Sequence, residues 1–416
     1  MHRRYFVKSG AVAMVTMGLS PSFLRRTAFG LELSAAQKGK VLICLFQRGA
    51  ADALNIVVPH GERAYYQLRP NIAIPQPLSG LGNRAALDLD GFFGLHPSLA
   101  PLKPLWDRGL LAPIHAVGSP SATRSHFDAQ DYMESGTPDN KGTTDGWLNR
   151  YLATSGTCEE CKVTPFRAVA MAPQTPRILE GGAPSVAMNS LEEFAVRTAG
   201  EQSARLEALY RNGSADLVHG TGAEMFDAVK MLRAASPEQY QPQNGASYPR
   251  SPFGQRLRQI AQLIRSGVGL EVAFGDVGGW DTHVNQGGVQ GQLAQRLDDF
   301  AQSIAALVAD LGDRMENVVI LTMSEFGRMA HQNGNGGTDH GHAGAMFVIG
   351  GAVHGRKVYG KWPGLEAGQL YEGRDLALTT DFRTVFVEIA RRHLGAAKID
   401  AMFPGFTAPS ALGFLG

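Results

Sequence analysis

Short, wholly apolar runs alternate along this chain with longer stretches in which apolar residues return every three or four positions. Val41 to Phe46 is such a run, as expected of a strand buried on both faces of a parallel sheet. Leu110 to Val117, Leu270 to Phe274, Val318 to Thr322 and Met346 to Ile349 repeat the pattern. Helical periodicity is strongest over Val289 to Leu311, where Leu293, Leu297, Phe300, Ile304, Leu307 and Leu311 form one stripe. Phe253 to Ser266 likewise puts Phe253, Leu257, Ile260 and Ile264 on one face. Further helices are predicted over His126 to Glu134, Glu201 to Arg211, Ala223 to Ala234 and Leu378 to Leu394, and a loop over Ser236 to Ser251. Strands alternating with helices predict an α/β fold with a mostly parallel central sheet and helices on both faces. Ligands of such sheets gather at the carboxyl ends of the strands.

The first residues, Met1-His2-Arg3-Arg4-Tyr5-Phe6-Val7-Lys8, precede a weakly apolar stretch from Ser9 to Leu24 that Gly and Pro21 interrupt. That stretch falls short of the ~20 apolar residues a bilayer span needs. It reads as a twin-arginine signal segment over residues 1–35, which implies folded export by the twin-arginine translocase to the periplasm or beyond. The remainder, 36–416, suits one domain with a helical or loop insertion at about 190–252. A net charge of +1 and the lack of a later basic run argue against nucleic acid as a partner, and no later segment predicts a stable membrane span. Gly is 50 of 416 residues, above the usual ~7%, so tight loops are expected. Cys44 lies in an apolar run and reads as a core thiol; Cys158 and Cys161 read either as a small disulfide loop or as free thiols.

Acids and histidines cluster where the strands end. Asp52 follows the first strand, Ser125 and His126 open the helix after the second, and Asp281 with His283 follows a later one. Glu325 follows another, and Asp339, His340 and His342 lie in the glycine-rich loop beyond it. Carboxylate plus imidazole donors suit Zn, Mn, Fe or Ni, and hard carboxylates also admit Mg or Ca. The alternative is a hydrogen-bonded loop in which Asp339 orients its neighbours without an ion. Ser125 reads either as a helix N-cap or as a nucleophile favoured by the helix dipole. Arg124 and Arg328 are candidates for holding an anionic substrate. Trp280 and Phe326 read as packing, and His60, His96, His115, His219, His331, His354 and His393 as structural or solvated.

The segments Gln47 to Asn55, Tyr65 to Pro70, Arg124 to Gln130, Gly278 to His283, Ser324 to Arg328 and Gly337 to His342 together resemble the family called domain of unknown function 1501. That family is similar in turn to the alkaline phosphatase and sulfatase superfamily. The resemblance implies an alkaline-phosphatase-like fold and a metal-dependent hydrolase of phosphate or sulfate esters, with an anionic small molecule or glycan as substrate. It implies Ser125 as nucleophile, Asp52, Asp281 and His283 as metal ligands and His340 or His342 as a late histidine; taken with the clusters above, a divalent ion (Zn, Mn, Mg or Ca) is expected to be held by a subset of Asp52, Asp281, His283, Glu325, Asp339, His340 and His342. The sequence departs from the superfamily where Ser-Asp-His-Gly is usual: Glu325 replaces the acid and Phe326 the histidine. A non-catalytic relative that binds a glycan or an export partner is the alternative.

Overall fold

The computed structural model describes residues 39–77, 84–155, 165–192 and 240–416. The signal segment, the helices expected over Glu201 to Arg211 and Ala223 to Ala234, most of the expected insertion, Cys158, Cys161 and His219 lie outside them. Eight strands form the central sheet: β1 (Val41–Gln47), β5 (Leu111–Gly118), β6 (Ala168–Met171), β7 (Val186–Ala187), β8 (Val272–Val277), β9 (Val318–Met323), β10 (Gly344–Gly350) and β11 (Thr380–Asp381). Three two-residue strands, β2 (Val57–Val58), β3 (Leu87–Asp88) and β4 (Gly94–Leu95), form a second, small sheet.

The order across the large sheet is β11-β5-β10-β9-β1-β8-β6-β7. Pairing is parallel throughout except at β10, which runs antiparallel to both β5 and β9. The fold is therefore α/β with a mostly parallel sheet, as the periodicity predicts. The reversed strand has a consequence for function. The loops that follow β1, β5 and β8 meet at one edge of the sheet with the single connection that leaves β9 and enters β10.

Alternation along β1 shows how both faces are covered. Ile43 and Leu45 pack into one core with Leu257 and Ile260 of α3 (Pro252–Ser266) and Leu297, Phe300 and Ile304 of α4 (Gln292–Leu311). Leu42, Cys44 and Phe46 face the opposite core with Trp147 and Leu148 of α2 (Trp147–Thr154) and Phe386 and Ile389 of α5 (Phe382–Arg392). Trp147 stacks on Phe386 with centroids 4.7 Å apart. Cys44 is wholly buried, and burial pushes its thiol well above the usual range.

Two boundaries differ from the pattern in instructive ways. The periodic stripe begins at Val289, yet α4 starts at Gln292 because Gly291, at φ +124°, breaks the helical path before it. The closing helix starts at Phe382, later than Leu378, because Thr380–Asp381 pairs with the edge of β5 and Asp381 caps the helix through Arg383 N. The strands β6, β7 and β11 and the small sheet escape a periodicity search because each is too short to show a period. Among the described residues, no helix is long and apolar enough to cross a membrane.

Three of the histidines read as structural are built into this frame. His96 meets Gly288 O at 3.0 Å, His115 meets Val57 O at 3.0 Å and His393 meets Val41 O at 2.9 Å. Burial pushes each imidazole down to about 4. The unfolded chain, with imidazoles near ~6.5, therefore binds protons more readily than the native one between about pH 6.5 and pH 4. Stability should be full above that window and fall as pH drops through it, by at most about 3 kcal/mol per histidine. Thermal melts at pH 7, 5.5 and 4.5 check this; a melting temperature that stays flat across the window, or a His115→Gln chain with an equally steep decline, would contradict it.

Candidate metal centre

Three of the loops at that sheet edge bring imidazoles and a carboxylate together. His126 opens α1 (His126–Ser135), the helix reached from β5. Asp281 and His283 lie in the loop after β8, and His340 in the loop before β10. His126 Nε2 and His340 Nε2 are 3.0 Å apart, as are His283 Nε2 and His340 Nε2. Asp281 Oδ1 lies 2.9 Å from His283 Nε2 and 3.2 Å from His340 Nε2, and its Oδ2 lies 3.5 Å from His126 Nε2. His126, Asp281 and His340 offer donor atoms that all fall within 4.8 Å of one another, a group that could hold a metal ion.

The far side of each imidazole decides what the near side presents. His126 Nδ1 faces Glu325 Oε1 at 2.8 Å, His283 Nδ1 faces Asp339 Oδ1 at 2.9 Å, and His340 Nδ1 faces the Arg124 carbonyl at 2.9 Å. A carboxylate and a carbonyl can only accept, so all three Nδ1 atoms carry the proton and donate it. In the neutral rings the Nε2 atoms then hold bare lone pairs, and these converge with the Asp281 carboxylate. Acceptor atoms crowded at ~3 Å repel one another unless a cation lies among them. Ligands ~2.1 Å from one ion would themselves stand ~3.0 to ~3.4 Å apart, depending on the angle at the ion. The donor set fits a metal on both counts.

Charge around the centre is arranged to match. The hydrogen bond to Glu325 raises the His126 pKa, against the opposing effect of partial burial. Burial and the neighbouring His126 lower that of His340. Burial alone would push Asp281 up, but the hydrogen bond and charge of Arg328, together with the neighbouring His283 and His126, outweigh it and the carboxyl lies below its usual range. Arg328 has no exposed side-chain surface; its Nη1 meets Asp281 Oδ1 at 2.6 Å, its Nε meets Thr338 Oγ1 at 3.2 Å, and its Nη2 bonds the Thr338 carbonyl.

The other residues singled out from sequence occupy different stations. Glu325 and Asp339 face the Nδ1 atoms of His126 and His283. Asp52 is fully buried, held at 2.6 Å by both Arg69 Nη1 and Gln286 Nε2. His342 is buried and stacks on Tyr371 at 4.3 Å, with its pKa lowered by burial. Arg124 pairs with Glu372 at 2.6 Å and Asp375 at 2.7 Å, so both candidate arginines are engaged by carboxylates. Ser125 is exposed at the N-cap position of α1, yet its hydroxyl makes no capping hydrogen bond. Phe326, where a ligating histidine would be usual in the resembled superfamily, stacks on the His126 ring at 5.0 Å and so fixes the plane of that imidazole. His126 carries no flanking histidine to mark it in sequence; only its place at the carboxyl edge of a strand hinted at its role.

A family model described as "Protein of unknown function (DUF1501)" matches residues 112–402. The chain belongs to this family. The match takes in every member of the group that could hold a metal ion, from His126 to His340. No curated protein matches the chain. Among solved structures, one described as "Structure of PH0037 protein from Pyrococcus horikoshii" is similar at 12% identity, covering 76% of this chain and 88% of that chain, with a TM-score of 0.26.

Close loop packing makes the centre sensitive to glycine substitution. A Cβ on Gly341 would lie 2.3 Å from the Arg328 carbonyl carbon, a backbone atom with nowhere to go. Gly341→Ala should therefore cost roughly 1–3 kcal/mol of stability and spread the loops that carry His340 and Arg328. Thermal unfolding of the variant measures the first effect, and an unchanged melting temperature would refute it.

Proposed function

We propose that this DUF1501 protein is a metal-dependent hydrolase of phosphate or sulfate esters, delivered to the periplasm or beyond by twin-arginine export. The observation that carries the reading is the grouping of His126, Asp281 and His340, whose donor atoms all lie within 4.8 Å of one another, with both imidazoles fixed by an acceptor behind them. Two imidazoles to one carboxylate, with His283 Nε2 3.0 Å from that of His340, favour a borderline transition metal such as Zn, Mn, Fe or Ni over Mg or Ca. Asp281 is 41% and His283 39% exposed, so the centre opens to solvent, as a site that admits substrate must and a closed structural site does not.

His126, Asp281 and His340, joined by His283, would hold the ion, while Glu325, Asp339 and the Arg124 carbonyl keep the imidazoles in the binding tautomer. A bound ion would supply Lewis acidity, offsetting the charge that develops as the ester bond breaks. Ser125 sits between the residue whose carbonyl holds His340 and the ligand His126, with its hydroxyl uncommitted, and is the candidate nucleophile. Arg328 orients Asp281 and Arg124 braces the loop at Glu372 and Asp375. The anionic oxygens of a substrate would accordingly be met by the ion.

Metal analysis of the full chain after folded export should find a transition metal, and His340→Ala should lose it together with thermal stability. Ser125→Ala should lower turnover of aryl phosphates or sulfates by roughly 10³-fold or more, with the metal retained. A chain that holds no transition metal, and whose melting temperature is untouched by His340→Ala, is not a metalloenzyme. Bound metal with no turnover of any such ester would mark a non-catalytic relative instead.

A further inference from the structure

Two of the three imidazoles are backed by carboxylates, and the two carboxylates differ sharply in setting. Glu325 has no exposed side-chain surface, whereas Asp339 is 49% exposed. Three donors converge on Glu325 Oε1, each at 2.8 Å: Gly49 N, Gln130 Nε2 and His126 Nδ1. The remaining oxygen, Oε2, accepts from Ser324 Oγ at 3.0 Å. Of these partners only His126 can carry charge; Gly49 N, Gln130 and Ser324 stabilise the carboxylate as neutral donors.

The field of a buried carboxylate falls off slowly in a medium of low polarity. Across the imidazole lies the point where the donor atoms converge. A positive ion there would be attracted through the ring by the Glu325 charge, and Glu325 in turn would make His126 a better donor. Asp339 stands in the same relation to His283, but water screens it and Asn333 Nδ2 shares its Oδ1 at 3.0 Å. Sequence spacing makes Glu325 and Asp339 look alike; burial separates them.

We propose that Glu325 is the positioning residue of the metal centre, governing ion retention through His126, while Asp339 contributes little through His283. This rests on the metal-centre reading above. The test is Zn²⁺ affinity by chelator competition on the full chain. Glu325→Gln should weaken Zn²⁺ binding roughly 10- to 100-fold, and Asp339→Asn by no more than about fivefold. In a His126→Ala background, Glu325→Gln should add less than about twofold, because its route to the ion is gone. Glu325→Asp, which keeps the buried charge, should bind more tightly than Glu325→Gln, and it carries the same cycle with His126→Ala if the glutamine variant does not fold. Equal losses in Glu325→Asp and Glu325→Gln would mean that shape rather than charge matters, and would overturn the proposal. So would equal losses in Glu325→Gln and Asp339→Asn, or full additivity with His126→Ala. In each of those cases the wild-type chain still binds Zn²⁺ and the metal-centre reading survives; a wild-type chain that binds none defeats both.

Discussion

One guanidinium holds the site loops together. Arg328, in the connection between β9 and β10, directs its donors to Asp281 in the loop after β8 and to Thr338 further along its own connection. It is buried, so those bonds are made away from competing water. Breaking them would leave a buried carbonyl without a donor and free the carboxylate on which His283 and His340 converge. From Thr338 the network runs on through Gln286 to the buried pair of Asp52 and Arg69. The centre is thus anchored to the end of β1 by polar contacts that never reach the surface.

That anchoring explains the divided roles of the acidic residues. Those nearest the core, Asp52 and Glu325, are met by N–H donors and work as buttresses. Asp281, at the solvent edge, is the carboxylate left facing the imidazoles. Phe326 fits the same scheme. It offers no ligand, but its ring lies against His126 and restricts that imidazole to the plane in which Nδ1 reaches Glu325 and Nε2 reaches the centre. Phe326, where a histidine would be usual in the resembled superfamily, instead helps to aim the His126 imidazole.

The reversed strand β10 matters as much. With all strands parallel, the loop carrying Asp339 and His340 would feed the opposite end of the sheet. Because β10 pairs antiparallel on both sides, the residues that precede it arrive at the same edge as those that follow β1, β5, β8 and β9.

Periodicity alone determined the strands that build the sheet centre, the two long helices and their buried faces, because those elements are long enough to repeat a pattern. The order of acids and histidines also fixed the family and the edge of the sheet where chemistry belongs. It did not separate ligand from buttress. His126 and Glu325 are 199 positions apart and His126 and His340 are 214 apart, yet their ring and carboxylate atoms meet within 3.0 Å. Which nitrogen keeps a lone pair depends on the acceptor behind it, and that acceptor is chosen by loop packing around Gly49, Gly341 and Arg328. Sequence lists the donors along a line; only the folded chain sets the direction in which each lone pair points.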